Sequence, residues 1–207
     1  MNKPNPKQLS APDRAAIIIR QHGGMIRMAD AIRLGISRNA LYSLRDTGRL
    51  EQLARGLYRL ADMPPLGSPD LVTVAQKVPH GVIYLLSALA FHELTTQIPH
   101  EVWIAVPRNS EPPRLTYPPI RVARLRDVAY RIGIEKHRVD DIDVRIYCRE
   151  KTIVDCFCRR NEVGIDVVVE SVKAYRSQQN RNVDLIMEYA KQLRAASAIR
   201  PYLEALV

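Results

Sequence analysis

The sequence predicts an α/β (α+β) chain in two parts: a winged helical module, then a small, mainly antiparallel sheet flanked by helices, with a helical C-terminus. Three observations carry this. Residues 24–60 hold two short amphipathic segments separated by a glycine and followed by a tight basic hairpin. Residues 61–69, ADMPPLGSP, contain three prolines and a glycine and read as a connector. Beyond them come short β-type runs, and from Glu150 the periodicity is helical. The expected domains are therefore 1–66 and 67–207.

The elements follow in order. MNKPNPKQLSAP is polar and Pro-broken, a loose tail with no signal-peptide character. A helix is expected from Pro12 to Gln21, because proline suits a first turn and Ala15, Ala16, Ile18 and Ile19 supply an apolar face. Gly23-Gly24 end it. Met28, Ala29, Ile32 and Leu34 give the next apolar stripe, and Gly35 closes it as a C′ glycine does. Ser37 is a good N-cap for the following helix. There Ala40, Leu41 and Leu44 face inward, while Arg38, Tyr42, Arg45 and Arg49 recur at helical spacing on the outward face. Gly48 ends that helix, and Leu50 to Leu60 alternates around Arg55-Gly56 as a two-stranded turn.

Helix, glycine turn, helix and basic hairpin, in that order, make a winged helix-turn-helix, and the implied partner is double-stranded DNA. A recognition helix sets its N-terminal side chains on base edges and its flanking basic groups on phosphates. Arg38, Asn39, Tyr42 and Ser43 are the base-edge candidates, and Arg45, Arg49, Arg55 and Arg59 the phosphate candidates. Charge agrees with this. The net charge is +9, and residues 1–66 carry 11 Lys+Arg against 5 Asp+Glu, a net of +6 in the first third of the chain.

In the second part a helix is expected over Asp70 to Lys77, stopped by Pro79, and a buried helix over Tyr84 to Leu94. Glu101 to Val106 is a strand candidate; residues 107–119, with five prolines, are a loop. Ile120 to Leu125 alternates apolar and Arg residues as a half-exposed strand. Ile132 to Val139 and Ile142 to Tyr147 form a hairpin about Asp140-Asp141. About four helices follow, broken near 161–164, 178–182 and 196–197. The longest nearly apolar run, Gly81 to Phe91, is far short of the ~20 residues that span a membrane. Cys148, Cys156 and Cys158 are odd in number, which fits a reduced, cytoplasmic protein better than a disulfide framework.

Signatures of catalysis are incomplete. His92-Glu93 opens like a zincin helix, but Thr96 stands where the second histidine is required. Asp141 and Asp143 lack a third carboxylate, and Asp140-Asp141 fit a hairpin turn, where Asp bonds its own backbone. Glu150-Lys151 lack the spacing of a nuclease centre. No phosphate loop or nucleophile elbow is present, so no enzyme activity, cofactor or metal is expected.

The chain resembles the AbiEi antitoxins of bacterial type IV toxin–antitoxin systems. The resemblance rests on GRLEQLARGLYRL, LLSALAFHELTTQIP followed by EVWIAVP, the GIEKHRVDDIDVRIY hairpin, EKTIVDCF and the closing RPYLEAL, in that order. It implies a transcriptional autorepressor whose winged module binds repeats in its own promoter. It implies also that the C-terminal domain counters a nucleotidyltransferase-like toxin. Of that second role it implies only that basic C-terminal residues matter; Arg159, Arg160, Lys173 and Arg176 are candidates, and a solvated helix face is the competing reading. Two further functions remain open on the residues alone: a winged-helix regulator whose second domain senses a ligand, and a nucleic-acid-processing enzyme.

Overall fold

The computed structural model describes residues 9–205. The expected N-terminal tail lies largely outside them. The chain divides into two compact units, with the boundary between Pro69 and Asp70.

The first unit opens with α1 (Ala11–Gln21). Ser10 caps it reciprocally: the Asp13 amide donates to Ser10 Oγ at 3.2 Å, and Ser10 Oγ donates to Asp13 Oδ2 at 2.6 Å. Then follow β1 (Met25–Arg27), α2 (Met28–Arg33), α3 (Arg38–Asp46), β2 (Leu50–Ala54) and β3 (Leu57–Leu60). The three strands form an antiparallel sheet in the order β1-β3-β2. Gly56 takes φ +72° in the β2–β3 turn, a conformation that costs a residue with a side chain. Gly24 has a second constraint: at φ +75°, a Cβ there would meet the Met63 side chain at 2.8 Å.

One core holds this unit together. Ala15, Ala16 and Ile19 from α1, Ala40, Leu41 and Leu44 from α3, and Ile26, Leu50, Tyr58 and Leu60 from the sheet pack as one cluster. Each fully buried Leu contributes about 1.5–3 kcal/mol. The stripe expected on α2 is corrected: Ile32 and Leu34 are 43% and 40% exposed, and the buried residues are Ala31 and, past the turn, Ile36. The physical reason is length. α2 has only 6 residues, so it buries one small side chain, and the burial expected of it falls to β1. The connector is also shorter than expected, because Met63 packs on this core and Asp62 pairs with Arg20.

The second unit runs α4 (Pro69–Lys77), β4 (Val82–Ile83), α5 (Leu85–Phe91), β5 (Val102–Pro107), β6 (Ile120–Leu125), α6 (Asp127–Arg131), β7 (Ile134–Val139) and β8 (Ile142–Tyr147). It closes with α7 (Arg149–Cys158), α8 (Arg160–Val163), α9 (Ile165–Ser177), α10 (Val183–Gln192) and α11 (Ala196–Ala205). The sheet order is β6-β5-β4-β8-β7. It is mixed rather than mainly antiparallel: β5–β6 and β4–β8 are parallel, β4–β5 and β7–β8 antiparallel. The proline-rich loop between β5 and β6 is long enough to return the chain to the same end of the sheet, which a parallel pair requires.

Both sheet faces are covered. Trp103 and Ala105 face a core built with α5, α7, α9, α10 and α11; Val102, Ile104 and Val106 face one built with α4. That is the period-2 alternation of a strand buried on both sides. α7 is buried along most of its length, including Lys151, fully enclosed and ion-paired to Asp155 one turn on. Burial pushes the Asp155 carboxyl up to about 6, against the pull of the Lys151 ammonium. The Lys151 ammonium also lies 4.4 Å from the centroid of the Tyr147 ring.

Candidate nucleic-acid interface

The candidate face is built on α3. Ser37 Oγ accepts from the Ala40 amide at 3.2 Å and starts the helix. The Gly35 amide donates to Ile32 O at 3.0 Å and the Ile36 amide to Ala31 O at 2.9 Å, ending α2 and setting the turn. With Ala40, Leu41 and Leu44 buried, the opposite face is left to water, and Arg38, Asn39, Tyr42, Ser43 and Arg45 all lie on it. Arg45 is held in place. Its Nε and Nη2 donate to Asp46 Oδ1 at 2.9 and 2.7 Å, and its guanidinium stands 5.0 Å from the centroid of the Tyr42 ring.

The remaining phosphate candidates separate. Arg55 is exposed at the tip of the β2–β3 turn. Arg49 does not share the outward face of α3, because that helix ends at Asp46 and the chain turns at Gly48. Its Nη1 donates instead to Asp13 Oδ1 at 2.8 Å. Arg59 is corrected outright. It is only 6% exposed, its Nη2 donates to Pro64 O, and Glu51 Oε2 lies 3.8 Å from its Nη1. Strand β3 is the middle strand, so alternate side chains on it cannot all reach solvent; Arg59 ties the connector to the wing. Arg27, which the sequence reading did not single out, is half-buried at the end of β1, and among the described residues its Nε has no hydrogen-bond partner. No local pattern marked that strand.

In the second unit, Arg159 pairs with Glu162 at 2.5 Å, and Arg160 donates to Phe157 O at 3.2 Å; both stand at the α7–α8 corner. Lys173 and Arg176 are exposed on α9. Lys173 lines an open groove of about 680 Å³ with Thr96, Asp166, Glu170 and Ser177. Glu170 is already satisfied there, since Thr95 Oγ1, Thr96 Oγ1 and the Thr96 amide each donate to it at 2.8 Å; those bonds hold its carboxyl below the ordinary value.

Residues weighed for catalysis are engaged structurally. Asp140 and Asp141 take φ 47° and 62° in the hairpin turn, and Asp143 accepts from Arg138 at 3.1 Å. Glu150 is buried and accepts from the Tyr175 hydroxyl at 2.6 Å. His92 donates from Nε2 to Tyr147 O at 2.7 Å, and burial pushes its imidazole below the ordinary value. Burial raises the Cys148 thiol to about 11 and Cys156 well above the ordinary value. Among the described residues no three His, Cys, Asp or Glu converge as metal ligands, and no helix is long and apolar enough to cross a membrane.

Helix, strand, two helices and a two-stranded wing define the first unit as a winged helix-turn-helix, followed here by a mixed α/β unit. Comparison with known proteins agrees. Residues 13–61 match the family model described as "Transcriptional regulator, AbiEi antitoxin", which bears out the resemblance over that segment. No curated protein matches the sequence. Among solved structures, the RV2827C protein from Mycobacterium tuberculosis is similar, with a TM-score of 0.57 at 14% identity, over 98% of this chain and 83% of that one. At that identity the likeness is one of fold, and it extends through both units.

Proposed function

We propose that this chain is the antitoxin and autorepressor of a type IV toxin–antitoxin system. Its first unit binds repeats in its own promoter as double-stranded DNA. Arg38, Asn39, Tyr42 and Ser43 read base edges, and Arg45, Arg49 and Arg55 hold phosphates. Its second unit counters a nucleotidyltransferase-like toxin in the cytoplasm, without catalysis and without a cofactor. The observation that supports this reading best is the exposed, Arg- and Asn-bearing face of a capped α3 beside a three-stranded wing, in the segment that matches the regulator family. Arg typically reads guanine and Asn adenine in the major groove.

The test has two arms. Full-length protein is titrated against its own promoter and against random DNA of equal length. Separately, it is co-expressed with the neighbouring toxin from an unrelated promoter, and growth is followed. Promoter preference together with growth rescue is the expected result. Promoter binding without rescue would leave a plain regulator, and equal affinity for both DNAs would remove the repressor role.

A further inference from the structure

Positive charge in the second unit is concentrated in one segment. Residues 67–207 carry 20 Lys+Arg against 17 Asp+Glu, a net of +3. Residues 108–131 alone carry 6 Arg against 2 acids, a net of +4, so the rest of that unit is net −1. The fold gathers part of this segment at one corner of the sheet. Strands β5 and β6 run parallel, with Val106 opposite Arg124 and Pro107 opposite Leu125, and the Arg108 amide donates to Leu125 O at 2.9 Å. Arg108 therefore stands beside Arg126, one residue past the last strand pair. Arg124 precedes Arg126 by two residues, so along an extended strand they share one side.

These three arginines are exposed, and among the described residues none has an ion pair or a side-chain hydrogen bond. Their neighbours differ. Arg121 pairs with Glu101 at 3.1 Å and stacks on Trp103 at 4.4 Å, and Arg131 pairs with Asp127 at 3.1 Å. The acids of the segment thus leave Arg108, Arg124 and Arg126 uncompensated. Three unneutralised guanidiniums at the end of an edge-strand pair suit the closely spaced phosphates of a nucleic-acid backbone.

We propose that Arg108, Arg124 and Arg126 form a second DNA-backbone contact, made by the second unit to the DNA that the first unit reads. This rests on the DNA-binding reading of the first unit. Because both units belong to one chain, contacts too weak to act alone would add to the total. The patch carries no base selectivity, since phosphates are the same in every sequence.

The experiment compares the full chain with R108Q/R124Q/R126Q on promoter and random duplexes across a salt series. Circular dichroism checks folding, and single variants replace the triple one if it melts early. The expected result is a log–log salt slope lower by about 2–3, at ~0.9 per lost contact. Both duplexes weaken by a similar factor, so the preference for promoter is unchanged. An unaltered slope and affinity on DNA that the parent chain binds would overturn this contact and leave the winged-helix reading standing. If the parent chain binds neither duplex, both readings fall.

Discussion

Arg49 and Asp13 are joined by a 2.8 Å ion pair that ties the turn after α3 to the first turn of α1. Hydrogen bonds from Ser10 and from Arg49 hold the Asp13 carboxyl below its ordinary value, so Asp13 is ionised wherever DNA binding is measured. The pair masks a cation beside α3. Asp13→Asn is expected to tighten binding to promoter and random DNA alike and to steepen the salt slope by up to ~0.9, while Arg49→Ala weakens both. Titrations from low to physiological salt read this. If both variants keep the parental slope, Arg49 is not at the interface.

Specificity is expected to sit earlier on the same helix. Arg38 is exposed in the first turn of α3, where side chains reach base edges. Arg38→Ala is expected to lose ~1–3 kcal/mol of discrimination for the promoter repeat and much less of the random-DNA affinity. Competition binding measures the ratio; an equal loss on both DNAs would remove Arg38 as a reader.

Inside the second unit, Asp155→Ala leaves the enclosed Lys151 ammonium without its counter-charge. That is expected to cost about 3–5 kcal/mol. Lys151→Met combined with Asp155→Leu restores most of the stability, because it removes both charges at similar volume. Urea unfolding followed by the fluorescence of Trp103, the only tryptophan of the chain, reports on this unit. A single variant as stable as its parent would show that Lys151 finds water or another partner.

His92 makes the second unit sensitive to acid. Its imidazole is held below the ordinary value by burial, so the unfolded chain takes up its proton first as pH falls. The stability it contributes is present above the unfolded value near ~6.5 and is lost as pH drops below it. Asp155 acts in the opposite sense. With its carboxyl raised to about 6, its contribution is present at low pH and lost as pH rises through that value. The quantity to measure is therefore the difference in melting temperature between parent and His92→Gln from pH 7.5 to 5. It is expected to narrow toward acid, and a constant difference would mean that His92 does not titrate in this range.

Two fragments test separability. Residues 1–69 are expected to retain promoter preference, and residues 70–207 to show none while carrying whatever rescue the full chain gives against the toxin. Rescue by the first fragment alone would reverse this division of labour.

Much of the fold was legible because local chemistry and tertiary outcome agree. Ser37, Gly35 and Gly48 bracket α3 in the sequence as they do in the structure, and Asp140-Asp141 mark their own turn. The elements missed are the ones too short to show a period. β4 has 2 residues, yet it is the middle strand and pairs with both β5 and β8. Val82 and Ile83 read as the start of an apolar run, and only their partners make them a strand. On the candidate interface the exposed face of α3 follows from helical spacing. The burial of Arg59 and the pairing of Arg49 do not, because each depends on a residue brought close by the fold rather than by the pattern.

The outermost strands β6 and β7 have a consequence for crowding. An unpaired strand edge is a template on which another chain can extend the sheet. Here β6 carries Arg121 and Arg124, and β7 carries Glu135, Lys136 and Arg138, all exposed. Adding a neighbour's strand at either margin would press like charges together or strip them of water. Charged margins of this kind disfavour extension of the sheet by a second chain.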